Sequence, residues 1–268
     1  CDNNKSNRPF MQNLNIGILQ FDQIWEDKQK NFSKIKHLLN NKKDYNLLLL
    51  PEMFHTGFTM NHETHSEKMK SSAGISFLNS LSKELNCAIY TSLIIEENKL
   101  VYNRGVFIDQ GKITHYDKRK CFGLGGESES FTPGQNEVIV DFQGWKLNLQ
   151  ICYDLRFPEL IRNELNIDGV PKYDALLYIA NWPKKRITHW ISLLKARAIE
   201  NQCYVIACNR LGIDGNDIEY NGSSLIVDPN GVIQNPLDKN NAEGIVNGKL
   251  SSHELYELRK KLPFLQDR

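Results

Sequence analysis

The chain has 268 residues, 40% apolar and 24% charged, with a formal net charge of +1. That length can bury a sizeable core in one large domain, and the near-neutral charge gives no broad attraction to phosphate backbones or anionic lipid. No apolar run approaches the ~20 residues needed to span a bilayer, so nucleic-acid and membrane-spanning roles are disfavoured.

The N-terminus, residues 1–12, reads as a polar extension ahead of a domain over 13–268. Cys1 followed by the polar segment Asp2 to Arg8 resembles a processed lipoprotein terminus whose first cysteine carries lipid; a start at Met11, directly before the first apolar run, is the other reading, and both stay open. The other cysteines, Cys87, Cys121, Cys152, Cys203 and Cys208, show neither C-x-x-C pairing nor disulfide-scaffold density, which fits reduced thiols in a cytoplasmic setting.

Leu14 to Phe21 and Leu47 to Leu50 read as buried strands, and Phe32, Ile35, Leu38 and Leu39 between them recur at helical spacing. Ile75, Leu78, Leu81 and Leu85 mark a second amphipathic helix, followed by the apolar stretch Cys87 to Ile95. Leu100 to Asp109 and Lys112 to Tyr116, joined by Gln110-Gly111, suit an antiparallel hairpin. Phe142 to Trp145 and Asp228 to Gly231 are further turns. Trp145, Leu147, Leu149 and Ile151 alternate with Lys146, Asn148 and Gln150, the signature of a half-buried strand that ends at Cys152. Ala175 to Ala180 and Tyr204 to Cys208 are buried strands, separated by a helix with Ile187, Trp190, Ile191 and Leu194 on one face. The pattern is mixed α/β, with helices outside and sheets inside.

Glu52, Lys118 and Cys152 each follow an apolar strand, where reactive groups can converge on a rigid sheet. Singly, each has a structural explanation: cysteine is commonly a packing residue, and a charge at a strand end is commonly solvated. Their local wording points further. Leu49-Leu50-Pro51-Glu52-Met53-Phe54, His115-Tyr116-Asp117-Lys118-Arg119-Lys120 and Gln150-Ile151-Cys152-Tyr153-Asp154-Leu155-Arg156-Phe157-Pro158-Glu159 resemble the glutamate, lysine and nucleophile motifs of the nitrilase (carbon-nitrogen hydrolase) superfamily, in the family's order. The likeness continues through Ala180-Asn181-Trp182-Pro183, Lys195 to Gln202 and Asn221 to Ser224, over about residues 13 to 250.

The resemblance implies a four-layer α-β-β-α sandwich, commonly paired into a homodimer with the stretch Ser251 to Phe264 reaching across, and catalysis by Cys152, Glu52, Lys118 and a second glutamate. Glu127, flanked by Gly125-Gly126, matches that glutamate, with Glu129 competing. The chemistry agrees. A covalent route splits amide hydrolysis into two lower barriers, and a thiol with a free pKa near 8.5 needs a base or a cation to attack at pH 7. Glu52 supplies the base, Lys118 the cation, and the Tyr153 N–H joins Lys118 around the oxyanion. Losing one such donor costs about 10²- to 10³-fold in rate, so Lys118→Ala is expected to be severely impaired while still folded.

Phe122, Asn181 and Trp182 are expected around the acyl group, and Asp154 and Arg156 to pair or to support the turn after the nucleophile. No metal or cofactor is called for. The wording Tyr116 to Arg119 and Ile179 to Pro183 resembles the omega-amidase branch, which hydrolyses 2-oxoglutaramate or 2-oxosuccinamate; an N-carbamoyl-amide hydrolase, another aliphatic amidase and a catalytically silent scaffold are the alternatives. A carboxylate-bearing substrate needs a cationic anchor, for which Arg119, Arg156, Lys184, Lys185 and Arg186 are candidates. Cys121 departs from that branch's usual wording and is expected to be sensitive to oxidation.

Overall fold

The computed structural model describes residues 11–40, 44–235 and 242–268, so Cys1 and most of the extension lie outside the described residues. Met11 packs against the core, and Gln12 accepts a hydrogen bond from Trp145 Nε1.

The first sheet is built from β1 (Leu14–Gln20), β2 (Leu47–Leu49), β3 (Ala88–Glu97), β4 (Leu100–Asp109) and β5 (Lys112–Asp117), with the later strand Gly244–Leu250 antiparallel to β1. The second runs through β6 (Ile139–Phe142), β7 (Trp145–Ile151), β8 (Ala175–Ala180), β9 (Tyr204–Asn209) and Leu225–Val227. Between β9 and Leu225–Val227, β10 (Leu211–Ile213) and β11 (Glu219–Asn221) form a small separate hairpin; Leu225–Val227 is then β12 and Gly244–Leu250 is β13.

The helices are α1 (Lys28–Leu38), the short α2 (His62–His65), α3 (Ala73–Leu85), the short α4 (Glu127–Ser130), α5 (Ile187–Asn201) and α6 (Ser252–Lys261). Asp27 caps α1 by accepting from Lys30 N, and Ser72 caps α3 by accepting from Ile75 N, each satisfying a backbone donor that a helix start leaves unpaired.

The four layers follow from period-2 patterning in strands that are apolar on both faces. Leu47 and Leu49 join the core shared with the second sheet, whereas Leu48 and Leu50 join a separate core under α1 and α3 with Phe32, Ile35, Ile75 and Leu78. On the far side α5 seats Trp190, Leu194 and Ala198, and α6 seats Leu255, against the second sheet. The order is helix, sheet, sheet, helix. The α6 helix docks on its own chain, where Arg259 Nη1 donates to Asp174 at 2.7 Å.

Three tight hairpins use backbone with positive φ: Asn98 and Lys99 at 53° and 65°, Gln110 and Gly111 at 47° and 107°, Gln143 and Gly144 at 48° and 86°. That handedness matches the twist of the paired strands. One strand departs from its sequence pattern. Asn148 and Gln150 on β7 are fully buried rather than solvated, because Asn148 Nδ2 donates to Glu137 at 2.9 Å and Gln150 Nε2 donates to Asn148 at 2.7 Å beneath a covering segment. The half-buried reading of β7 is corrected to a strand buried on both faces, one apolar and one hydrogen-bonded.

Candidate active site

Glu52 follows β2 by way of Leu50 and Pro51, Lys118 follows β5 directly, and Cys152 follows β7 directly. Glu127 opens α4 behind the turn Gly123–Gly125. Gln23 Nε2 ties the Glu52 and Met53 carbonyls at 3.0 and 2.9 Å. Cys152 sits at φ 43°, a left-handed conformation that non-glycine residues adopt at a cost of order 1–3 kcal/mol and that clusters at functional sites. The turn is held by Asp154, which accepts from Ile151 N, Lys120 N and Tyr116 Oη at 3.0, 2.9 and 2.7 Å.

Lys118 Nζ donates to Glu52 Oε1 at 2.9 Å and to both Glu127 oxygens at 2.9 and 2.8 Å. Glu52 and Glu127 are 0% exposed, and Lys118 is 1% exposed. Asn103 on β4 bridges the two carboxylates, its Nδ2 reaching Glu52 at 2.8 Å and Glu127 at 3.0 Å. Phe122 N donates to Glu127 Oε2 at 2.6 Å. The competing Glu129 is exposed. Asn181 N donates to Glu52 Oε2 at 2.9 Å, and its carbonyl oxygen lies 3.9 Å from Cys152 Sγ. Glu52 therefore joins the lysine through one oxygen and the Cys152 side of the site through the other.

A cavity of about 680 Å³ opens over Cys152. Phe122, Tyr153, Arg156, Asn181 and Trp182, the residues expected to meet substrate, all line it with Cys152; Glu52, Lys118 and Glu127 lie behind the thiol and do not. Over residues 15–260 the chain matches the carbon-nitrogen hydrolase family. The chain belongs to that family.

Among relatives, this hydrolase is 37% identical to omega-amidase YafV of Escherichia coli K12 over 96% of this chain and 97% of the relative. It is 33% identical to a 2-oxoglutaramate amidase of Bacillus subtilis 168 over 94% and 96% of the two chains. A CN-hydrolase superfamily protein of Xanthomonas campestris, solved with an arsenic adduct in its active site, superposes with a TM-score of 0.92 at 34% identity, covering 96% of this chain and 98% of that one.

The electrostatics of the hydrolase site sharpen the role of each group. Burial pushes the Cys152 thiol well above its ordinary value; Glu52 and Glu127 push the same way and Lys118 alone opposes them. Burial and both carboxylates thus favour the protonated Cys152 thiol, for which Glu52 is the adjacent base. Lys118 is held charged: burial works against the ammonium, but Glu127 and Glu52 outweigh it.

Several expectations change. Asp154 supports the turn but does not pair with Arg156, whose guanidinium lies over the Trp182 ring at 4.7 Å and faces His189 at 3.3 Å. Arg119 is excluded as a substrate anchor, because it donates to Leu160 O and Tyr116 Oη away from the cavity. Lys184 pairs with Glu219 and Lys185 is exposed, so Arg156 and Arg186 are the two anchor candidates that line the cavity. Cys121 does not line it; the thiol packs with Met53, Ile94 and Phe131 and is pushed up to about 11 by burial, the reverse of an oxidation-prone group. Asn103 carried no motif. Its only signal is a polar side chain beside Arg104 in the middle of β4.

Proposed function

We propose that this hydrolase releases ammonia from the omega-amide of a small 2-oxo acid, 2-oxoglutaramate or 2-oxosuccinamate, through a Cys152 thioester. The reading rests chiefly on one observation: Cys152 lies in the cavity within reach of Glu52, with Lys118 behind it and Arg156 free of any carboxylate partner among the described residues. The names of the two similar amidases point to the same substrate class.

In this mechanism Glu52 takes the thiol proton as Sγ attacks the amide carbon, and the new oxyanion is held by the Tyr153 N–H and Lys118. Lys118 holds Glu127 through two contacts, so one N–H can turn to the oxyanion while the other keeps the ion pair. Collapse returns the proton through Glu52 to the departing nitrogen, releasing ammonia and leaving the thioester. Glu52 then deprotonates a water that attacks the thioester carbon, and the thiolate leaves and recovers that proton. Glu127 and Asn103 fix Lys118 and Glu52. Phe122, Asn181 and Trp182 surround the acyl chain, and Arg156 takes the substrate's carboxylate with its planar fork. The proposal includes a catalytic unit over 13–268, a cytoplasmic setting and a homodimer; a second copy is read from sedimentation mass. Among the described residues no helix is long and apolar enough to cross a membrane.

The test is ammonia release from 2-oxoglutaramate, glutamine, an N-carbamoyl amino acid and a simple nitrile, with wild type and Cys152→Ala. Cys152-dependent turnover preferring 2-oxoglutaramate is expected. Preference for the carbamoyl compound would move the protein to the rival reaction, and no turnover at all would favour the silent scaffold.

A further inference from the structure

The cavity holds a second guanidinium that the proposed reaction does not yet use. Arg186 lines it from the turn Lys184–Arg186, with its guanidinium 5.3 Å from the Phe122 ring centroid. Phe122 packs edge-on to Tyr153 with centroids 5.0 Å apart, and Arg156 lies over Tyr153 and Trp182 at 6.0 and 4.7 Å. Arg186 and Arg156 thus lie on one aromatic shelf beside Cys152. The turn that carries Arg186 is pinned by its own carbonyl, which accepts from Trp182 Nε1 at 2.8 Å.

The charges on the cavity wall are unequal in their commitments. Its acids are already engaged: Glu26 accepts from Thr59 and faces His65 at 3.3 Å, while Asp214 accepts from Tyr220 Oη and two backbone N–H groups. Neither Arg156 nor Arg186 has an ion pair among the described residues. Aromatic stacking orients a guanidinium without spending its charge, and Arg156 Nη1 and Nη2 face the single His189 Nδ1 at 3.4 and 3.3 Å, so the charge in the cavity that lacks an ion-pair partner among the described residues is cationic and doubled.

We infer that Arg186 is a specificity-determining residue, the second member of a two-cation clamp that reads the 2-oxo acid end of the substrate. The inference rests on the 2-oxo acid amide reading above. One fork takes the carboxylate; the other bridges the remaining carboxylate oxygen and the adjacent 2-oxo oxygen, an acceptor pair that a 2-oxo acid presents and a 2-amino acid or an unsubstituted acid does not. A 2-amino acid such as glutamine offers an ammonium at that position, which two guanidiniums repel. Selection for 2-oxo over 2-amino acids thereby falls to Arg186 rather than to the reacting groups.

The clamp is tested by protection of Cys152 from iodoacetamide, followed by mass spectrometry, with 2-oxoglutarate or glutarate as protectant. In wild type, 2-oxoglutarate is expected to half-protect at about tenfold lower concentration than glutarate, the worth of one hydrogen bond to a charged donor. Arg186→Gln should abolish that gap, and Arg186→Lys should restore part of it. In turnover, the kcat/KM ratio of 2-oxoglutaramate over glutamine should fall about tenfold in Arg186→Gln, and the loss for 2-oxoglutaramate should exceed the loss for butyramide by a similar factor. No gap in wild type, or a gap that survives Arg186→Gln, overturns the clamp. An Arg186-dependent gap in a protein that releases no ammonia from 2-oxoglutaramate would keep the clamp and remove the amidase reading; turnover without a gap would do the reverse.

Discussion

Among the described residues Lys118 is the only cation between two carboxylates that are 0% exposed, and its removal tests the buried network directly. In Lys118→Ala only the Asn103 amide would still bridge Glu52 and Glu127. Breaking a buried ion pair by deleting one partner costs about 3–5 kcal/mol, because the remaining charge stays desolvated and uncompensated. At about 2–4 °C per kcal/mol for a chain of this size, the thermal midpoint should fall by about 6–20 °C. The variant, expected from sequence to be severely impaired while still folded, should thus also be less stable. The decisive assay is a double-mutant cycle by denaturant unfolding at pH 7, with Lys118→Met, Glu127→Gln and the double variant. Removing the second carboxylate should recover about 1.5 kcal/mol or more relative to additivity, while activity stays down by at least the 10²- to 10³-fold of a lost oxyanion donor. A single variant within 1 kcal/mol of wild type, or an additive cycle, would refute the reasoning.

Replacing Asn103 with Ala removes two hydrogen bonds to charged acceptors; kcat is expected to drop at least about tenfold with KM little changed, and a change confined to KM would count against a role behind the thiol. Asp154 has its carboxyl raised from 3.8 to about 6 by burial, against the pull of Lys118 and Tyr116. With a folded value above the unfolded one, its favourable contribution is fully present below pH 3.8 and is lost as pH rises through about 6, a change of about 3 kcal/mol at 1.36 kcal/mol per unit. Relative to Asp154→Asn, wild type should therefore lose stability between pH 4 and 6, and parallel pH–stability curves would contradict this. Cys152 alkylation in the free enzyme should keep rising beyond pH 9 because burial and Glu52 hold the thiol protonated, and a plateau below pH 7.5 would instead indicate a resting thiolate. Cys121, which does not line the cavity, should be alkylated more slowly than Cys152, which opens onto it beside Glu52; comparable labelling would show that the Cys121 thiol is not shielded as described.

Much of the layering was legible along the chain, because the periods that make one face of a helix or two faces of a strand apolar are local. The run Leu47 to Leu50 marks a strand buried on both sides, and Ile75, Leu78 and Leu81 mark the helix that covers one of them. The motifs likewise single out Glu52, Lys118, Glu127 and Cys152, of which Glu52, Lys118 and Cys152 follow strands and Glu127 opens α4. Period alone could not show that Asn148 and Gln150 are buried, because the cover over that face of β7 comes from residues distant in sequence.

What only the tertiary structure decided is which charges meet. Arg119 and Arg156 flank the site motifs equally well on paper, yet one is spent on Leu160 O and the other opens onto the cavity. Asn103 reaches the carboxylates because β4 pairs between β3 and β5, bringing it beside Glu52 and Lys118. The state of Cys152 is likewise a sum over neighbours: burial and two carboxylates against one lysine hold the thiol neutral. Residue types and their order are written in the sequence, but desolvation and distance, which set the sign and size of every charge interaction, exist only once the strands are side by side.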